Sequence, residues 1–197
     1  AALAARLAAL LAAGSGGGPP DAPAHSAEVL VTALGLDIDA DLVRRAAAKQ
    51  CACRTAATYE ACDLRDAGRM REAAARFLRD RGEGARFGLV TCFSTTMWIH
   101  ANAGDDGLRE FLRRACDMAE ALVVEPQPSR CYRKMNVRLR KMKQEEIPID
   151  GLALRADVEN QIEHIIVGCG FHRVDEPGTT EWGRVLRLYR RGARTPP

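Results

Sequence analysis

The segment from Ser94 to Leu108 concentrates side chains that can stack, donate or accept: Trp98, His100, Asn102 and Asp105. It follows an apolar, strand-like run, Phe87–Phe93, and precedes the helical pattern of Leu108, Phe111, Leu112 and Ala115. That is where an alternating α/β chain places an active-site loop. A second polar segment, Glu125-Pro-Gln-Pro128, directly follows the apolar run Ala121–Val124. Two further runs end on acids: Val29–Leu36 leads into Asp37-Ile38-Asp39, and Tyr59–Leu64 carries Asp63. A carboxylate at a strand end can accept both hydroxyls of a ribose. An apolar neighbour such as Ile38 can pack on the base, and an acid on the next strand can accept from its amino group. Any one of these acids is equally well explained as a helix cap or a solvated turn. Taken together and in this order, Asp37, Asp63 and Ser94-Thr95-Thr96 point to a nucleoside-containing ligand.

Tyr132 lies in a basic run: Arg130, Arg133, Lys134, Arg138, Arg140, Lys141 and Lys143, with no acid before Glu145. A run of this kind can be a solvated helix face. Unrelieved like charge makes a phosphate-rich partner the better reading. The interleaved apolar residues Met135, Val137, Leu139 and Met142 are too few for a lipid-facing surface. The net charge of the chain is only +3, so contact with nucleic acid has to come from this local cluster.

The elements that must position these residues follow from periodicity. Helices are expected over Asp41–Gln50, over Met70–Arg81, from Leu108 to Ala115 and along Val158, Ile162, Ile165 and Ile166. Strands are expected over Val29–Leu36, Tyr59–Leu64, Phe87–Phe93, Ala121–Val124, Phe171–Val174 and Val185–Tyr189. Strand and helix alternate, which predicts a doubly wound α/β domain with a largely parallel sheet and an antiparallel finish. With 197 residues, 47% hydrophobic and 28% charged, the chain can bury a sizeable core. Its 7 cysteines are scattered, which fits thiols rather than a disulfide framework. Cys51 and Cys53 lack a second pair at ligand spacing, so no metal site is expected. The Ala/Leu-rich stretch Ala1–Ala13 is too short to span a bilayer, which takes about 20 residues, and reads as an amphipathic helix. No membrane partner is expected.

The spacing Ser94-x-Thr-x-Trp-x-His-x-Asn-x-Gly-Asp-x-Gly-Leu108, with Glu125-Pro-Gln-Pro128, resembles the signature of bicoid-interacting-protein-type RNA methyltransferases. Thr96-Met-Trp-Ile-His100, Cys131-Tyr-Arg133, Arg138-Leu-Arg-Lys141, Asn160-Gln-Ile162 and the late Trp182 place the likeness nearest the RNA 5′-monophosphate methyltransferase branch. The sister branch usually carries Lys where this chain has Met97. The resemblance runs from about Val29 to Tyr189. It implies the class I methyltransferase fold, S-adenosylmethionine as cofactor, and as substrate an RNA bearing a 5′-monophosphate, such as histidine transfer RNA or a microRNA precursor. It assigns Asp37 and Ile38 to the ribose and adenine of the cofactor, Asp63 and Leu64 to the adenine, and Ser94 to the loop nearest the methyl donor. His100, Tyr132 and Arg133 become the residues expected to hold the phosphate, and Arg130, Lys134, Arg138, Arg140 and Lys141 those expected along the RNA. The branch also implies a cytoplasmic location.

Such a domain opens with a strand and a Gly-rich turn, and neither is found before Asp37. Gly14-Ser-Gly-Gly-Gly18 follows a helix-like stretch, and Pro19-Pro20 block a helix after it, so residues 14–27 read as a flexible loop insertion. The expectation is a single methyltransferase domain over residues 1–197 lacking its first strand, with a disordered tail over 192–197. Two other readings use the same residues: a catalytically silent RNA-binding module of this fold, and methylphosphate capping of a small nuclear RNA.

Overall fold

A computed structural model describes residues 31–49, 55–180 and 182–192. The expected helix over Ala1–Ala13, the insertion over 14–27, Cys51 and Cys53, and the tail beyond 192 lie outside them. The chain divides into two compact units, Ala1–Cys62 and Asp63–Pro197.

The described part of the first unit is a β-α-β segment. Strand β1 (Val31–Asp37) and strand β2 (Thr55–Ala61) pair in parallel, Gly35 opposite Tyr59. Helix α1 (Ala40–Ala48) joins them. It starts where the sequence allows: the Asp39 side chain accepts from the Asp41 and Leu42 amides at 2.8 and 3.2 Å, meeting two of the donors a helix start leaves unpaired.

The second unit holds a four-stranded sheet in the order β3-β4-β6-β5. Strands β3 (Val90–Cys92) and β4 (Ala121–Val124) are parallel. Strand β6 (Val185–Arg191) runs antiparallel to both β4 and β5 (Phe171–Thr179), so the expected antiparallel finish is present. Every residue of β4 is buried, as its unbroken Ala-Leu-Val-Val run requires of an inner strand covered on both faces. Helix α2 (Ala67–Leu78) is capped by Asp66. Helix α3 (Thr96–Asp117) buries Leu108, Phe111, Leu112, Ala115 and Cys116. Helix α4 (Ser129–Lys141) follows β4, and helix α5 (Val158–Gly168) buries Val158, Ile162 and Ile166 at a spacing of one helical turn. The Arg191 guanidinium donates to the carbonyls of Cys116 and Ala119, placing a cation at the C-terminal end of α3, where it is favoured.

Three expectations need correction. The strand expected over Tyr59–Leu64 spans Thr55–Ala61, leaving Asp63 in the turn before α2. The strand expected over Phe87–Phe93 shrinks to Val90–Cys92, with Phe87 making only an isolated bridge to Ala119. The segment read as a loop between Ser94 and Leu108 is helical from Thr96 onward, broken only at Gly104.

Candidate active site

The site is built at the end of β4, where the chain leaves the sheet as Glu125-Pro-Gln-Pro128. Glu125 and Gln127 are 1% and 2% exposed. Their side chains do for α3 what its own first residues do not, since Thr95 makes no side-chain cap. The Glu125 carboxylate accepts from the Ser94 amide at 2.7 Å and the Ser94 hydroxyl at 2.9 Å. Gln127 Oε1 accepts from the Met97 amide at 2.9 Å. Ser94 takes φ of +53°, a left-handed conformation that non-glycine residues adopt rarely. Glu125 holds it there. The β5–β6 turn completes this cluster: Thr180 Oγ1 and an Arg184 nitrogen donate to Glu125 Oε1 at 3.3 and 3.1 Å. The same Arg184 nitrogen donates to Ser94 Oγ at 3.2 Å.

A second cluster links α3 to α4. His100 Nδ1 lies 2.8 Å from the Tyr132 hydroxyl, and Nε2 lies 2.7 Å from Asp105 Oδ1. An ionised carboxylate can only accept, so Nε2 carries the proton, and Nδ1 accepts from the Tyr132 O–H. Asp105 is held in turn by the Ala153 amide at 3.0 Å and the Leu154 amide at 3.1 Å. It reaches both because Gly104, at φ +71° and ψ −174°, breaks α3 just before it. This is a backbone shape open essentially to glycine alone. Burial holds the His100 imidazole below its ordinary range, outweighing the pull of Asp105, with Arg109 and Arg155 adding to the effect. Burial alone would raise the Asp105 carboxyl, but donors from His100, Leu154 and Ala153 carry it below the usual value. Burial also pushes the Tyr132 phenol up. The resting state is therefore neutral imidazole, protonated phenol and ionised carboxylate.

His100, Tyr132 and Arg133 come together, but not in one manner. His100 and Tyr132 are fully buried and engaged with each other. Arg133, the next residue on α4, is exposed. Arg130, Lys134, Arg138 and Lys141 are also exposed, and none of these five cations has a hydrogen bond or ion pair among the described residues. Arg140 differs: its guanidinium is bidentate to Glu146 at 2.8 and 3.0 Å. The far end of α4 is fixed by Asn136, whose amide exchanges two hydrogen bonds with the backbone of Ile147 at 2.8 and 3.0 Å.

Of the expected cofactor residues, Asp37 sits exposed at the end of β1. One carboxylate oxygen takes the Asp39 amide at 2.9 Å. Ile38 beside it is 64% exposed. Asp63 is occupied: Arg65 donates to both carboxylate oxygens, Nε at 2.9 and 3.1 Å and Nη2 at 2.7 Å. That guanidinium holds the Asp63 carboxyl below its usual range. The Leu64 carbonyl accepts from Arg114 at 3.3 Å. A cofactor bearing hydroxyls and an apolar base finds suitable chemistry in a strand-end carboxylate beside an exposed isoleucine. At the start of α3, Thr96 Oγ1 is buried and has no hydrogen-bond partner among the described residues. The residues present fit the group.

Sequence reasoning named Glu125, Gln127 and Asp105 within motifs without assigning them a task, and passed over Arg184. The two prolines around Gln127 were the available signal, since they extend the chain and aim Glu125 and Gln127 from one strand end. Nothing local marked Arg184, whose hydrogen bonds span 59 and 90 residues.

The chain is similar to known proteins over most of its length. The RNA 5′-monophosphate methyltransferase of Homo sapiens is 38% identical over 159 residues, covering 80% of this chain and 54% of that protein. The Pre-miRNA 5′-monophosphate methyltransferase of Xenopus laevis is 35% identical over 167 residues, covering 84% of this chain and 65% of that one. The chain thus spans between about half and two thirds of the length of these relatives. Among solved structures, the N-methyltransferase NodS from Bradyrhizobium japonicum WM9 aligns with a TM-score of 0.45 at 10% identity, over 97% of this chain and 94% of that one. The model of the Bicoid-interacting protein 3 (Bin3) family matches residues 87–191, which take in Ser94, His100, Glu125, Tyr132 and the whole of α4, and the chain belongs to that family.

Proposed function

We propose that the protein transfers a methyl group from S-adenosylmethionine to the 5′-monophosphate of a small RNA, a transfer RNA or a microRNA precursor. One observation carries the reading: an unpaired cationic face begins at the strand end that also fixes the Ser94 turn. Arg130 and Arg133 stand in the first turns of α4, directly after the Glu125–Pro128 segment. The names of the relatives support the choice of acceptor.

The cofactor supplies an electrophilic methyl group on a sulfonium. A terminal phosphate is largely a dianion near neutral pH, so it needs no general base. A bound cofactor would offer that methyl group to a phosphate oxygen with its thioether as leaving group, and no proton would have to move. The protein's task is alignment. Arg133 can grip two phosphate oxygens with its planar fork while leaving the third to attack. His100 and Tyr132 fix the helix that carries it. A phosphate contact from either would require exchange of a hydrogen bond already made. Ser94, held by Glu125 and Arg184, sets the turn nearest the methyl donor. Asp37 and Ile38 have the chemistry for the ribose and the base.

The test is methyl transfer from labelled S-adenosylmethionine to one RNA presented with a 5′-monophosphate or a 5′-hydroxyl. Label on the monophosphate RNA alone is expected, and label on neither RNA, or on both, overturns the proposal. A second reading, RNA binding without methyl transfer, is favoured by the Arg65 clasp on Asp63, which closes one expected cofactor contact. RNA bound with no label would establish it.

A further inference from the structure

We propose that Trp182 is the stacking platform for the terminal base at the 5′ end of the RNA, a contact that rests on the function proposed above. Trp182 is 70% exposed. Its indole presents a large apolar face to water, which the hydrophobic effect disfavours unless something covers it. The residues on either side of it are tied together. Thr180 N donates to Arg184 O at 2.8 Å, Gly183 N donates to Thr180 O at 2.9 Å, and Gly183 takes φ of +67°, a conformation glycine adopts at no steric cost. Both shoulders of the turn are anchored at the candidate site, Thr180 on Glu125 and Arg184 on Glu125 and Ser94. Along the chain, Trp182 lies midway between these two anchors. From Glu125 the chain passes through Gln127 into α4, whose first turns carry Arg130 and Arg133.

One strand end therefore gathers an exposed aromatic face, a turn assigned to the methyl donor and unpaired guanidinium groups. The terminal nucleotide of an RNA offers the complementary set. Its phosphate suits the guanidinium groups, and its base, unstacked on one side at a chain end, suits an aromatic face. Every base has such a face, so the contact would fix the nucleotide without reading its identity. Charge decides the choice of occupant. A protein segment or a lipid surface would also cover an indole, but the unpaired cations that follow Glu125 on α4 call for a phosphate-bearing partner.

The test compares wild-type protein with Trp182→Ala and Trp182→Phe in binding a 3′-labelled, 5′-monophosphorylated RNA. The control RNA is identical but abasic at its first nucleotide. Alanine is expected to weaken binding of the intact RNA by about 5- to 150-fold, phenylalanine to restore most of it, and the abasic RNA to bind all three proteins alike. Indole emission should be quenched by intact RNA in wild type and much less in Trp182→Phe, where Trp98 alone reports. Equal affinity of wild type and Trp182→Ala overturns the proposal, as does failure of wild type to bind RNA. An equal loss on intact and abasic RNA does so too, because it would assign Trp182 to the shape of the turn. Trp182-dependent binding without methyl transfer would sink the proposed activity and leave the platform standing. Methyl transfer with an unchanged KM for RNA in Trp182→Ala would do the reverse.

Discussion

At the scale of single residues, the site is an exercise in keeping buried polar groups matched. His100 has no free ring nitrogen: Tyr132 donates to one and Asp105 accepts from the other. Tyr132→Phe removes only the hydroxyl and leaves Nδ1 a buried acceptor with nothing to accept. The expected loss is about 1–3 kcal/mol, read from urea unfolding, and a loss below about 0.5 kcal/mol would show that the bond contributes little. The pH dependence follows from the same geometry. The folded-state value of His100 is lowered from 6.5, so as pH falls below 6.5 the unfolded chain takes up this proton before the folded one. The stabilisation is complete above 6.5 and lost as pH falls through the lowered folded value. Asp105, lowered from 3.8, contributes above 3.8 and loses its contribution only as pH falls further. Unfolding midpoints measured from about pH 7 down to about pH 5 should therefore fall in wild type and fall less steeply in His100→Gln. Parallel profiles would assign the drop to other groups. Arg184 makes a comparable case. Its partner Glu125 has a side chain only 2% exposed, and removing one member of a buried pair costs about 3–5 kcal/mol. Two Ser94 donors and the Thr180 hydroxyl remain, so Arg184→Ala belongs near the lower bound, about 3 kcal/mol, on the same denaturation assay, with Arg184→Lys in between.

At the scale of elements, two helices are shaped by interactions that local sequence does not reveal. Helix α3 begins at Thr96 because Glu125 and Gln127, 31 and 30 residues away, supply its missing cap. With Thr95 making no side-chain cap and a Gly-Asp-Asp-Gly stretch inside it, the segment reads as a loop. Its second half was legible, since Leu108, Phe111, Leu112 and Ala115 repeat at helical spacing and all are buried. Strand β4 and helix α5 were legible for the same reason: burial writes its period into adjacent residues. The pairing of His100 with Asp105 and Tyr132 was not, because it depends on one glycine's backbone. Gly104→Ala should cost about 1–3 kcal/mol for the strained φ and should also loosen Asp105 from Ala153 and Leu154. Circular dichroism melts would register the first effect. Helix α4 gives the opposite expectation. Arg133, Lys134 and Arg138 are exposed and unpaired, so replacing all three by alanine should change stability by about 0.5 kcal/mol or less per site. RNA binding should suffer, with the slope of log K against log salt falling by roughly 0.7 to 0.9 for each phosphate no longer neutralised. Weakened binding with an unchanged slope would mean that these cations act through structure.

At the scale of the whole molecule, the described residues of the two units differ in how much apolar surface they bury. In the first, the described side chains are half-buried or exposed except Cys62. Helix α1 buries none of its residues, and Val31, Ile38 and Leu42 are 51%, 64% and 44% exposed. Among the described residues its sheet has β1 and β2, fewer strands than a sheet usually needs to be stable without further packing. The second unit carries nearly all the fully buried apolar side chains, from Met70 to Tyr189, around the inner strands β4 and β6. The units also divide the expected cofactor residues, Asp37 and Ile38 falling in one and Asp63, Leu64 and Ser94 in the other. Local opening is easiest where little apolar packing must be broken. Amides of β1 and β2 should therefore exchange with deuterium well before those of Leu122, Val123 and Leu188, by at least about a hundredfold for a gap near 3 kcal/mol. Saturating S-adenosylmethionine should slow exchange in β1 if Asp37 and Ile38 hold its nucleoside, because a ligand that binds only the ordered form raises the cost of opening. Exchange in β1 as slow as in β4 would mean that the first unit is stabilised by more than its own side chains. Slow exchange confined to β4 and β6, unmoved by the cofactor, would separate Asp37 and Ile38 from cofactor binding altogether.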